Sequence, residues 1–149
     1  MPQSYRELFY HFAWATRQRE PMITNDIEPA LYGYIRDRCS EMGVYVYALD
    51  GIQDHSHLVC SVPPRIAVAD FVDKIKGSSS HHINHMADQD WTLYWQVRYG
   101  AFTFAHKDLA RIVKYVENQK EHHRAGTLWQ SIEQFGDAPD EAAKRRSAE

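Results

Sequence analysis

Two short stretches of this chain carry residue types suited to phosphoryl chemistry. The first is Asp54-His55-Ser56-His57, which opens an apolar run closed by Pro63 and Pro64. Side chains alternate between faces along a strand, so both imidazoles leave one face and Ser56 leaves the other. Two neutral imidazoles at that spacing can hold one divalent cation and leave coordination positions open for substrate oxygens. Chance is the competing reading, since the chain has nine histidines. Asp54 can orient a ligating histidine from behind, or it can simply serve a turn between strands, which is the simpler role. The second stretch runs from Arg111 to His123, RIVKYVENQKEHH, and sets Tyr115 and Gln119 four residues apart on one helical face. A phenol can attack a phosphodiester and form a covalent phosphotyrosine, which conserves the ester's energy for rejoining. The Gln119 amide oxygen offers a third ligand, and oxygen beside two imidazoles suits Mg²⁺ or Mn²⁺. Such an ion polarises a phosphate. Against this, Tyr115 is one of nine tyrosines and can serve as amphipathic packing with its hydroxyl at the surface.

The elements that must position these residues can be read from periodicity. Residues 7–15 are aromatic-rich and fit a first strand. Asn25 or Asp26 can cap a helix reaching about residue 42, with Ile27, Leu31, Ile35 and Cys39 along one face and Gly43 as its stop. Residues 44–49 and 57–62 read as two strands joined by a short polar connection. A second helix shows Ile66, Val68, Phe71, Val72 and Ile75 on its apolar face. Gly77 and three serines weaken its middle, which predicts a kink or an early end. Residues 93–104 suggest one or two strands around Gly100, and 107–123 a last helix burying Leu109, Ile112, Val113 and Val116. The order is strand, helix, strand, strand, helix, strand, helix. It favours an α+β, ferredoxin-like domain: an antiparallel sheet with helices packed mainly on one face. The expected division is a single domain over 1–133 and a flexible polar tail over 134–149.

Composition bounds the function. The chain has 149 residues, 44% of them hydrophobic and 25% charged, the balance of an ordinary globular protein. No apolar run reaches the roughly 20 residues of a membrane span, and the N-terminal residues lack a signal-peptide core, so a cytoplasmic protein is expected. Cys39 and Cys60 sit in apolar stretches and read as buried free thiols. A net charge of −3 rules out a uniformly basic coat for duplex DNA but allows a local basic patch.

Together these stretches resemble the single-tyrosine transposases of small bacterial insertion sequences, the IS200-like members of the HUH superfamily, with the transposases associated with repeated extragenic palindromes as a related branch. Four blocks carry the resemblance in the family's order: YHFAWATRQREPMI, DGIQDHSHLVCSVPP, FVDKIKGSSSHHIN and YGAFTFAHKDLARIVKYVENQKEHHRAGT. The last, with tyrosine and glutamine four apart and then paired histidines, is the most specific. The resemblance implies a ferredoxin-like fold, a homodimer whose active sites are shared between subunits, and cleavage of single-stranded DNA at hairpin-marked element ends through a 5′-phosphotyrosine. It implies His55 and His57 as ligands of Mg²⁺ or Mn²⁺, Tyr115 as nucleophile and Gln119 as a supporting ligand. The short chain and the ENQKEHH ending favour the insertion-sequence branch. One position departs from the pattern: Ser56 replaces a bulky apolar residue, and a buried hydroxyl needs a partner.

Remaining polar residues fall around this scheme. Arg17, Arg19, Lys74, Lys76, Ser78 and Arg98 are candidates for DNA contact. His81, His82 and His85 read as part of a polar surface, His122 and His123 as surface residues near a helix C-terminus, and His11 as a core or near-site residue. Two other functions compete: a domesticated hairpin-binding regulator that no longer cuts, and a zinc-dependent hydrolase, for which further ligands at fixed spacing are wanting.

Overall fold

β-Branched, aromatic and alanine residues with alternating side-chain direction build the centre of the molecule. In the computed structural model, which describes residues 4–86 and 92–136, the order is β1 (Phe9–Ala15), α1 (Glu28–Glu41), β2 (Tyr45–Ile52), β3 (His55–Ser61), α2 (Val68–Met86), β4 (Gly100–Phe104), α3 (Leu109–Glu117) and α4 (Gln119–Ala125). The strands form one antiparallel sheet in the order β2-β3-β1-β4, which is the ferredoxin-like arrangement expected.

One face of the sheet carries the main core. Phe12 and Trp14 of β1, Leu49 of β2 and Leu58 and Cys60 of β3 pack against Leu31, Tyr32, Ile35 and Cys39 of α1 and Phe71, Val72, Ile75 and Ile83 of α2. Each such side chain removed from water contributes about 1.5–3 kcal/mol. The other face is also covered. Ala48 and Val59 pack against Ile112, Tyr115 and Val116 of α3 and against Ile132. The two long helices thus share one face as expected, while α3 and α4 take the opposite one. The physical reason lies in β3, where every residue from His55 to Cys60 is buried, so neither side of the sheet can be left to solvent.

Local details depart from the sequence reading at the start of α1, within α2 and in the last helix. Ile27, not Asn25 or Asp26, precedes the first turn of α1, and no side chain caps it; Gly43 does end that helix, at φ +75. Helix α2 runs unbroken through Gly77 to Met86. The hydroxyls of Ser78, Ser79 and Ser80 accommodate this by donating back to carbonyls of Lys74 and Lys76. Within 93–104 one strand forms, β4, one of the two outcomes expected there, and Trp95 makes a lone bridge with Thr16. The last helix breaks at Asn118, at φ −109 and ψ 27, into α3 and α4. The packed chain also continues past residue 133: Phe135 is buried against Ala13 and Ala15 of β1, and Gly100 makes room for this crossing, since a Cβ there would lie 1.9 Å from the Gln134 carbonyl oxygen. The rest of the expected tail, 137–149, lies outside the described residues. Cys39 and Cys60 are buried free thiols. Among the described residues no helix is long and apolar enough to cross a membrane.

Ser56, the departure from the family pattern, has the partner its burial demands. Its Oγ lies 3.0 Å from the Tyr32 hydroxyl, and both groups are buried. A Cβ at Gly51 would fall 2.8 Å from that same hydroxyl and 2.1 Å from the His55 carbonyl oxygen, so glycine there keeps the pocket open. Tyr32→Phe is expected to cost about 1–3 kcal/mol in urea unfolding by stranding the serine hydroxyl. Adding Ser56→Ala should cost less than the two single changes summed, because they share one bond; strict additivity would refute the pairing.

Candidate active site

Strand β3 sends His55 and His57 to the α3 side of the sheet, and both are fully buried. Their partners across β1 are Ala15 and Ala13, whose small side chains leave space over the two rings. Each ring is held from behind. Asp54 Oδ1 lies 2.7 Å from His55 Nδ1, so Asp54 orients the histidine rather than only serving the turn. His11 Nε2 lies 2.8 Å from His57 Nδ1, which makes His11 the near-site residue of the two roles open to it. With Nδ1 engaged, Nε2 of each ring faces inward. His55 Nε2 is 3.2 Å from Gln119 Oε1, and His57 Nε2 is 3.2 Å from Glu133 Oε2.

Tyr115 reaches the same place from α3. Its hydroxyl donates to Glu133 Oε1 at 2.5 Å and accepts the Trp129 backbone N–H at 2.9 Å. The ring stacks on His122 at 4.5 Å. Gln119 begins α4 and donates from Nε2 to Glu133 Oε1 at 3.2 Å. The break at Asn118 therefore does not separate the pair, and both side chains converge on one carboxylate. Lys120, next to Gln119, anchors α4 to Glu28 of α1 at 2.7 Å and Asp50 of β2 at 2.8 Å. His123 approaches Gln119 Oε1 at 3.1 Å and packs on the His55 ring, so it belongs to the cluster and not to the surface.

The electrostatics follow from burial and these bonds. Burial lowers the His57 pKa against the upward pull of Glu133, leaving a neutral imidazole, the form that ligates a metal. Burial likewise lowers His11, to about 3. Burial alone would raise the Glu133 pKa, but hydrogen bonds from His57 and Tyr115 outweigh it and hold the carboxyl well below its usual range. Tyr115 is pushed up to about 12 by burial and by its bond to Glu133, so the resting phenol keeps its proton. For His57 to turn a lone pair inward from Nε2, its Nδ1 must carry the hydrogen and donate to His11.

The donor atoms of His55, His57 and Glu133 lie within 4.8 Å of one another, and Gln119 Oε1 adjoins them. Two imidazole nitrogens with a carboxylate and an amide oxygen form a set that fits a divalent cation such as Mg²⁺ or Mn²⁺.

A profile of the family described as "Transposase IS200 like" matches residues 4–119, most of the chain. The chain belongs to the IS200-like transposases. Among curated relatives, the ISDra2 transposase TnpA of Deinococcus radiodurans is 28% identical over 118 residues, covering 76% of this chain and 84% of that protein. The IS200 transposase of Salmonella typhimurium is 25% identical over 122 residues, covering 78% and 80%. A crystal structure of a protein from Deinococcus radiodurans assigned as a transposase aligns with TM-score 0.61 and 27% identity, over 80% of this chain and 96% of that one. A REP-associated tyrosine transposase bound to a REP hairpin shares the fold, with TM-score 0.60 over 86% and 76% of the two chains at 16% identity.

Within this IS200-like chain the other sequence candidates divide by face. Arg19 lies beside the site: its Nε is 3.2 Å from Asp54 Oδ2 and its guanidinium sits 4.5 Å from the Phe135 ring centroid. Arg17 lies near Tyr94, 5.5 Å from that ring's centroid. Lys74, Lys76 and Ser78 are on α2, behind the sheet. Lys76 is unavailable to phosphates, because its ammonium is buried and donates to the carbonyls of Gln96, Val97 and Arg98; burial without an anionic partner is affordable only with those three acceptors. The Ser78 hydroxyl is likewise turned back onto its own helix. Arg98 is exposed.

Glu133 was missed from sequence. Its only signal is its setting, between Ile132 and Phe135, apolar residues in a stretch otherwise poor in them. Within one subunit, Glu133 unites the tyrosine with the histidine pair. Calorimetric titration of the metal-free protein with Mn²⁺ is expected to show His11→Phe weakening binding about 10–100-fold. Glu133→Ala should weaken it more than Gln119→Ala, the carboxylate carrying the charge. Unchanged affinity in His11→Phe would remove that residue's orienting role.

Proposed function

We propose that this chain cleaves and rejoins single-stranded DNA at hairpin-marked element ends, with Tyr115 as nucleophile, and that it acts in the cytoplasm. One observation supports it above the others. A single carboxylate, Glu133, hydrogen-bonds both the Tyr115 phenol and His57, so nucleophile and ligand pair meet inside one buried cluster. His55 and His57, with Glu133 and Gln119, would hold Mg²⁺ or Mn²⁺. The bound ion supplies charge neutralisation and polarisation of the scissile phosphate.

The chain's own groups account for the remaining steps. The Trp129 N–H fixes the phenolic oxygen, and Glu133 is placed to receive its proton as the oxygen bonds to phosphorus. The bond from phosphorus to the 3′-oxygen breaks and that oxygen takes up the proton passed through Glu133, leaving a 3′-hydroxyl and a 5′-phosphotyrosine. In rejoining, a 3′-hydroxyl attacks that phosphorus and the proton returns to the phenolate. Arg19 adjoins the site through Asp54 and Phe135 and is the arginine best placed to meet phosphate oxygens. Hairpin recognition is carried over from the REP-associated relative, and the insertion-sequence branch from the higher identity to the IS200 and ISDra2 enzymes. The carboxylate that a zinc hydrolase reading lacked is present in Glu133, but membership of the family favours DNA as substrate.

Incubation of labelled single-stranded hairpin DNA from the flanks of the reading frame with Mn²⁺ should yield a covalent adduct on denaturing gels. Tyr115→Phe is expected to abolish the adduct and keep binding within about twofold. Binding without any wild-type adduct would instead identify a non-cutting hairpin regulator. We also propose that the protein is a homodimer, with each active site completed within one subunit. A mixture of Tyr115→Phe and His57→Ala is then expected to form no adduct; restored cleavage would show that tyrosine and histidines come from different subunits.

A further inference from the structure

On the outer side of Tyr115 lies a cavity that the scheme above leaves unused. It encloses about 410 Å³ and is lined by Arg111, Lys114, Tyr115, Asn118, His122 and Trp129, with Glu121 also contributing. Its size falls in the range of small-ligand pockets. The walls are aromatic: Tyr115 stacks on His122 at 4.5 Å and stands edge-on to Trp129 at 5.8 Å and 87°. Arg111 lies over the indole, its guanidinium 4.4 Å from the ring centroid. Arg111, Lys114 and Asn118 are exposed along the same flank of α3. The acid at the cavity, Glu121, is already paired with Arg124, and the ion pair of Arg111 among the described residues is a long one, 3.7 Å to Asp108.

Flat aromatic walls beside exposed cations are the features by which proteins hold unpaired nucleotides, with bases stacked on rings and phosphates met by charge. We propose that this cavity seats a base next to the scissile phosphate, the base displacing the Arg111 guanidinium from the Trp129 ring and stacking there, with Arg111 and Lys114 then meeting the adjoining phosphates. The proposal rests on the reading of this chain as acting on single-stranded DNA. Two observations favour that occupant. The cavity is walled in part by Tyr115 itself, so a base within it adjoins the attacking group. Trp129 also serves both sides, its ring facing the cavity and its backbone N–H holding the phenolic oxygen at 2.9 Å. A duplex would keep its bases stacked internally, so the site selects an unpaired strand.

The test uses fluorescein-labelled dT12 and a 12-mer of the same length made wholly of abasic sites, with anisotropy as the readout. Wild-type protein is expected to bind dT12 more tightly than the abasic strand. Trp129→Ala should weaken dT12 binding about tenfold and leave abasic binding unchanged, while Trp129→Phe retains most of the affinity. Arg111→Gln should reduce the slope of log affinity against log salt by about one. Quenching of 2-aminopurine placed within dT12 by wild-type protein gives a reading should Trp129→Ala fail to fold. Equal affinity of wild type for the two strands, or no quenching, would overturn the stacking site. A chain that binds neither strand and forms no adduct with hairpin DNA loses the single-strand reading itself, whereas adduct formation without discrimination between the strands overturns only the cavity's role.

Discussion

Two imidazoles buried side by side in the middle of a sheet need polar partners, and meeting that need organises the site; His11, which serves one of them, leaves its own buried Nδ1 without a partner among the described residues. His55 and His57 are removed from water on a strand that is covered on both faces. An unpaired ring nitrogen there would carry a desolvation cost of about 1–3 kcal/mol. Asp54 and His11 lie against the outer nitrogens, and the oxygens of Gln119 and Glu133 against the inner ones. Each of the four comes from a different part of the chain. Satisfying two histidines thus brings the strand connection, β1, α4 and the segment after it to one place. The same partners prepare a cation site, because they fix which nitrogen of each ring faces inward.

The opposite face of the same strand shows how a polar substitution is absorbed. Ser56 occupies a position where the family pattern has a large apolar side chain, yet its hydroxyl is paired with Tyr32 and roofed by Gly51. Packing lost to the smaller side chain is replaced by a tyrosine reaching from α1. The face that carries the histidine pair is untouched by this change, since alternation along β3 keeps the two environments apart.

Much of the site could be read from residue order, and the reason is local. The His-x-His pair needs only the two-residue period of a strand, and Tyr115 with Gln119 only the near-fourfold period of a helix, which survives the interruption at Asn118. The antiparallel order followed from strand and helix alternation. What could not be read depended on tertiary contact. Glu133 lies 76 residues beyond His57, in a stretch without regular periodicity. Lys76 looked like a surface cation by type, but the carbonyls of residues 96–98 enclose it. The second covered face of the sheet was also hidden, because a strand buried on both sides has no alternation to read.

The interruption at Asn118 has a mechanical consequence. The phenol hangs from one short rod and the amide from another, with a single joint between them. The amide's rod is tethered through Lys120 to two other parts of the body, whereas the phenol's rod is held chiefly by greasy contact with β2 and β3. A strand esterified to the ring would load only the first rod, and rotation at the joint would let that cargo swing while the cation's cage stayed in place.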